Sequence, residues 1–203
     1  MMIVLILSIV LFAVMNLTVG SVGIPADAVF SILNPFNDVP LEGENAEIWT
    51  NIIMYTRLPQ TLTAMACGAG LSVAGLEMQT VFRNPLAGPS VLGVSSAASL
   101  GVAFVVLLSG ALGGTALSSF GIIGNSAITL AAISGALLVM SFIVYLSHKV
   151  DGNVTLLITG VLIGYIATAI IGVLKYFSSE EDIRAYVIWG LGSFSRVTGG
   201  QVY

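Results

Sequence analysis

Charge is what this sequence has least of. Only 8% of its 203 residues are Asp, Glu, Lys or Arg, whereas 57% are hydrophobic. Soluble domains carry about 25% charged residues, and water does not solvate a surface this poor in charge. The composition therefore excludes a water-soluble globular domain and points to an integral membrane protein. Six Lys and Arg residues form no basic patch, which excludes nucleic acid as a partner. The single histidine, His148, stands in a turn at a membrane edge. No Ser/His/Asp set and no cluster at metal-ligand spacing can be assembled, so neither a catalytic site nor a metal site is expected. The single cysteine, Cys67, forms no intrachain disulfide and reads as a small residue buried in an apolar run. There is no G-x-x-x-x-G-K-[ST] and no H-E-x-x-H, so any ATP hydrolysis that drives this protein belongs to another polypeptide.

What the sequence has is long apolar runs. They continue without alternation for roughly 17 to 25 residues, the length a helix needs to cross about 30 Å of hydrocarbon, and not the ten-residue alternation of an outer-membrane strand. The predicted spans are residues 3–17, 62–82, 91–109, 121–146 and 154–177. Only helices satisfy every backbone group within such runs, so the fold class is all-α, a polytopic transmembrane bundle. The first run resembles a signal peptide by position, but it lacks a basic leader and a clean cleavage site.

Between the first two runs, Gly20 to Thr56 carries Asp27, Asp38, Glu42, Glu44 and Glu47 with Pro25, Pro35 and Pro40. It reads as a water-exposed loop with one short amphipathic helix near Ala46–Tyr55. The Gly/Ser-rich Gly110–Ser119, the turn His148–Asn153 and the charged Ser178–Arg184 form the remaining connections. The closing stretch "AYVIWGLGSFSRVTGGQVY" is too interrupted for a span. It ends without a polar tail, as expected of the N-terminal portion of a longer protein. The positive-inside rule does not orient the chain. Arg83 and Lys149 on one side are opposed by Arg57, Lys175 and Arg184 on the other, and acidic residues count for little.

Small residues recur at four-residue spacing: Ala66, Gly70 and Ala74; Ala127, Ala131 and Gly135; Gly160, Gly164, Thr168 and Gly172. That spacing puts them on one helix face, where another backbone can approach closely. The pattern predicts a tightly packed bundle suited to a transporter or channel, with Gly68, Gly70, Gly160, Gly164 and Gly172 as packing positions. Intramembrane ionisable residues mark function by default, and Glu77 is the clear candidate. Gln79, two positions on, lies on a different face.

One stretch breaks the apolar pattern: "GLEMQTVFRNPLAGPSVLG", Gly75 to Gly93. Pro85 lacks an N–H and disfavours a helical Asn84, while Pro89 suits the first turn of a new helix. Helix, sharp break, helix is the expectation, with Arg83 and Asn84 at the water edge.

Residues Arg57 to Ala103 closely resemble the FecCD family of ABC importer permeases. The hallmarks appear here as Arg57-Leu58-Pro59-Gln60, Met78-Gln79, and Arg83-Asn84-Pro85-Leu86-Ala87 with Pro89, Leu92 and Gly93. "LLITGVLIG" and "YVIWGLGSFSRV" fit later parts of the pattern. The resemblance implies a permease of the cobalamin/iron-siderophore type with about ten spanning helices, of which about five are present. It also implies a second permease copy, a homodimer or close homologue, with the pathway between the two. Separate ATP-binding cassette subunits would carry ATP and Mg, this chain would bind no cofactor, and an extracytoplasmic binding protein would deliver an iron-siderophore, haem or cobalamin chelate. The location implied is the bacterial cytoplasmic (inner) membrane, multi-pass.

By the same resemblance the turn at Arg83 to Pro89 faces inward, and Arg57 lies on the outer face where it pairs with acids on the binding protein. Gln60 stands where the family carries a second arginine. Glu77 departs from the family's uncharged residue and either reaches an interface or faces the pathway. Asn153 and Thr155 fall near the inner constriction, although Asn153 equally suits the Asp151-Gly152-Asn153 turn. An ion-coupled secondary transporter is the alternative, with Glu77 as its coupling carboxylate. A membrane scaffold that transports nothing is a third.

Overall fold

In the computed structural model, residues 1–34, 45–111, 121–150 and 152–199 are described. They form helices and no strand: α1 (Met2–Thr18), α2 (Ala26–Leu33), α3 (Ala46–Ile52), α4 (Leu58–Phe82), α5 (Val94–Ala111), α6 (Gly121–Ser147), α7 (Asn153–Phe177) and α8 (Glu180–Gly190). Of the acidic loop, Pro35, Asp38, Pro40, Glu42 and Glu44 lie outside the described residues, as do Asp151 and most of the Gly/Ser connection after α5.

Among the described residues, three stretches are long and apolar enough to cross a membrane: Ala46–Phe82, Gly124–Ser147 and Asn153–Phe177. Met2–Thr18 and Val94–Leu108 are shorter apolar helices. The second span starts well before residue 62 because α3 runs through a π-helical segment, Ile53–Arg57, straight into α4. Pro59 explains the wide turn. It has no N–H to give the carbonyl four residues back and its ring would clash there. A π turn opens the backbone at this point.

The chain divides into two compact units, Met1–Gly70 with Ser193–Tyr203, and Leu71–Gly192, so that α4 contributes to both. In the first unit Leu17, Ile24, Ala28, Val29 and Ile53 form a core, with Trp49 and Leu58 packed against it. Helix α2 makes this core by presenting Ala28 and Val29 on one side. It was not expected from the sequence, because eight residues are too few for the hydrophobic period to show. Most other α1 side chains are exposed within the chain, Phe12 and Leu7 among them, which is the surface of a helix meant for lipid or for another helix.

In the second unit α5 is central. Val102, Ala103, Val106 and Leu107 of α5 are buried with Ile171 of α7 and Tyr186 of α8. The approach of α5 to α6 depends on glycine. A Cβ on Gly101 would collide with the Ala131 carbonyl oxygen, and one on Gly135 with that of Ala97. Dispersion between closely apposed backbones replaces the hydrophobic drive that lipid does not supply. Two threonines along α7 are satisfied by their own helix: Thr159 donates to the Thr155 carbonyl and Thr168 to that of Gly164, each at 2.8 Å. Such back-bonding allows a hydroxyl inside a span.

Helix α8 takes up most of the stretch expected to be a charged connection. Ser179 is its N-cap, accepting from the Asp182 N–H at 3.2 Å and donating to the Asp182 carboxylate at 2.6 Å. Glu180, Glu181 and Asp182 occupy the first turn, where the helix dipole favours negative charge. Lys175 lies 4.9 Å over the Tyr186 ring, and burial pushes the Tyr186 phenol up from its ordinary range, against a Ser99 hydrogen bond that lowers it.

Candidate functional site

The break between α4 and α5 is built from the carbonyls that α4 leaves unpaired at its end. The Asn84 N–H reaches the Gln79 carbonyl at 3.2 Å and the Arg83 N–H reaches that of Thr80 at 3.3 Å. This crossed pair is a Schellman motif, which needs a left-handed residue after the helix, usually glycine. Here that residue is Arg83, at φ 48°, and no other non-glycine residue among those described has positive φ. The next carbonyl, of Val81, accepts from the Asn153 amide at 2.8 Å. The start of α7 is thereby fastened to the end of α4.

The chain then reverses through Asn84 to Ala87. The Ala87 N–H returns to the Asn84 carbonyl at 3.0 Å, and the Asn84 side chain accepts from Leu86 N–H at 2.9 Å. Pro85 occupies the position in this turn where a fixed φ helps and an N–H is not needed. Pro89 opens a short 3-10 turn, Pro89–Leu92, that closes on Gly93 at φ 73°. Gly93 meets two demands. Its backbone is left-handed, and a Cβ there would lie 2.5 Å from the Gly160 carbonyl oxygen. Gly160 reciprocates, since its own Cβ would lie 2.6 Å from the Leu92 Cα, and Gly164 packs on Ser96. Phe82, Ala87, Leu92 and Ile143 are buried together beneath the turn.

The structure thus brings Arg83, Asn84, Pro85, Pro89, Asn153, Gly160 and Gly164 into one assembly. Thr155 is exposed in the first turn of α7, and its carbonyl takes the Thr159 hydroxyl. Glu77 and Gln79 are exposed on α4, and neither is buried against another helix of this chain. Sequence reasoning missed Asn153 as a partner of Val81, although an Asn at the start of a helix is a signal for a local cap. It also missed Gly93, Ala97 and Gly101 as packing positions, although they stand four residues apart like the small-residue runs it did read.

Three packing positions are corrected. A Cβ on Gly68, Gly70 or Gly172 would meet nothing within 4 Å, so none seats another helix among the described residues. Cys67 is exposed too, not buried. For Cys67, Gly68 and Gly70 the cause is α4, whose apolar window has no buried residue, and for Gly172 it is a face of α7 that no described residue covers: position on a face says which residues align, not whether anything covers them.

Arg57 is a further correction. As an exposed docking charge it would sit in water, yet only 7% of its surface is accessible. Its guanidinium donates to the Leu17 carbonyl at 2.7 Å and to the Val22 carbonyl. Leu17 belongs to the last turn of α1, where carbonyls lack partners and the dipole favours a cation. Thr61 completes the joint, donating to the Arg57 carbonyl at 2.8 Å and lying 2.9 Å from Asn16 Oδ1. Gln60 turns to the Ser195 carbonyl at 3.4 Å.

Membrane-length apolar helices, glycine-mediated helix contacts and a proline-built break between two helices define a polytopic helical protein of transporter type. The sequence profile of the FecCD transport family matches residues 5–203, and the chain belongs to that family. It is 36% identical over 141 residues to the vitamin B12 import system permease protein BtuC of Pectobacterium atrosepticum, covering 70% of this chain and 40% of that protein. The BtuC of Serratia proteamaculans is likewise 36% identical, over 76% of this chain and 43% of its own length. A solved structure assigned to the metal-chelate type of ABC transporter, in an inward-facing conformation, superposes with a TM-score of 0.72 at 26% identity. It covers 96% of this chain and 53% of that one. The chain therefore spans about half the length of the relatives it matches, or somewhat less.

Proposed function

We propose that this chain is part of the membrane-spanning permease subunit of an ATP-driven importer in the bacterial cytoplasmic membrane. The observation that carries the reading is the family match over residues 5–203, which includes the whole Arg83–Gly93 break and its glycine seat on α7. The permease forms its pathway with a second copy of itself or a close homologue. Two cassette ATPase subunits bind ATP and Mg and do the hydrolysis, so the permease is not itself an enzyme and holds no cofactor. An extracytoplasmic binding protein delivers the substrate, a chelate of the iron-siderophore, haem or cobalamin class. The names of the relatives, vitamin B12 import permeases and a metal-chelate transporter, support that class. Arg57 serves docking indirectly, by holding the end of α1 in place. Asn153 serves the opposite purpose to a pathway ligand, since its amide is spent on the Val81 carbonyl, and it fixes the turn on which the inner mouth is built. Thr155, two residues further along α7, lines that mouth.

The test is copurification. The permease should bring down a cassette ATPase whose hydrolysis rises when substrate-loaded binding protein is added. A permease that purifies without an ATPase, and shows no hydrolysis in a membrane extract supplied with the loaded binding protein, defeats the proposal.

A further inference from the structure

The joint between α1 and the π-helical segment encloses more than a structural clamp. A cleft of about 320 Å³ opens there, lined by Asn16, Gly20, Ser21, Thr56, Arg57 and Gln60 among others. Its volume is at the small end of the range, about 300–1,000 Å³, in which small-molecule pockets fall. Most of its side chains donate hydrogen bonds: a guanidinium, two hydroxyls and two carboxamides.

Among the described residues lining the cleft, Arg57 is the one charged side chain. Among the described residues Arg57 is bonded to two carbonyls and is paired with no carboxylate. Carbonyls are neutral, so neither bond brings a counter-charge to a side chain that is 7% accessible. A buried cation without a counter-ion is costly. The two carbonyls also leave part of the guanidinium's five N–H donors unused. The position matters as well. Helix α1, an apolar helix, ends at Thr18, and the cleft begins in its last turn.

We propose that this cleft binds a phosphate oxyanion, held by Arg57 with Thr56, Ser21 and the Asn16 and Gln60 amides around it. A guanidinium fork matches phosphate geometry, and basic pockets at helix ends take anionic headgroups. The chemistry is the same whether the phosphate belongs to a membrane lipid or is free in solution. This site is separate from any pathway for transported substrate and does not depend on what is transported.

Arg57 also holds α1, so its removal endangers the fold; Thr56 is exposed and makes no bond to the clamp. Thr56→Phe should fill the cleft while leaving the clamp intact. The complete chain, purified in neutral detergent, is examined by native mass spectrometry and thermal unfolding with phosphatidylglycerol, with a diacylglycerol lacking the phosphate, and with inorganic phosphate. Wild type should retain phosphatidylglycerol or inorganic phosphate over diacylglycerol, and Thr56→Phe should weaken that retention about tenfold, the scale of a charge-assisted hydrogen bond. Its unfolding midpoint without ligand should stay that of wild type. Retention of the lipid alone identifies a headgroup site, and retention of inorganic phosphate a site for a soluble oxyanion. Equal retention of phosphatidylglycerol and diacylglycerol with no binding of inorganic phosphate, or binding unchanged by Thr56→Phe, overturns the proposal.

Discussion

At the scale of single residues, Arg57 carries its charge for a reason that has little to do with solvent. Arg57 joins two carbonyls that lie 40 and 35 residues before it in sequence. Hydrogen bonds to a charged donor are worth about 1.5–3 kcal/mol, so Arg57→Ala should lower stability by about that much. Arg57→Lys should recover only part, because an ammonium is one point charge where the fork serves two acceptors. Chemical unfolding followed by circular dichroism measures both, and an Arg57→Ala midpoint equal to wild type refutes the clamp. Arg83 supplies the opposite case. Its left-handed backbone costs an L-residue about 1–2 kcal/mol, so Arg83→Gly should raise the unfolding midpoint. A midpoint lowered by Arg83→Gly would mean that its side chain contributes more than its backbone costs. None of this was legible from the sequence, where an arginine beside a membrane span looks like a solvated charge. Its acceptors are backbone atoms, which leave no trace in residue identity.

At the scale of helices, the long spans were legible because twenty or so apolar residues have no other stable form in a bilayer. The break at Arg83 to Pro89 was legible because proline acts locally. The start of α4 was not, since nothing in Ile53–Arg57 announces a π turn. Helix α2 was missed for its shortness. Helix α8 was missed although its capping signal, Ser179 followed by Asp182, stands in the sequence. Regular glycine spacing identified faces but not contacts, and the contrast makes a direct test. Gly101→Ala and Gly135→Ala force a methyl into a facing carbonyl and should each destabilise by about 1–3 kcal/mol, as overpacking does. Gly70→Ala and Gly172→Ala meet nothing and should instead gain about 0.5–1 kcal/mol of helix preference. Unfolding of the four variants in one detergent gives the comparison. If all four lose stability alike, the α5–α6 contact is not what distinguishes them.

At the scale of the whole molecule, the exposed apolar faces of α1 and α4 match a chain that spans about half the length of its relatives. Membrane insertion and family were readable from composition and from one motif, whereas energy coupling is a property of an assembly and leaves only a resemblance in this sequence. Glu77 separates the two modes of driving. It is exposed on α4, and an ATP-driven permease has no need of a coupling carboxylate, so Glu77→Gln should leave uptake unchanged. The central claim is tested most directly by uptake into vesicles holding the complete permease, its ATPase and its binding protein, with vanadate in one arm and a protonophore in the other. ATP-driven import predicts that vanadate abolishes uptake and the protonophore leaves it intact. Uptake that ignores vanadate and collapses with the proton gradient would contradict it.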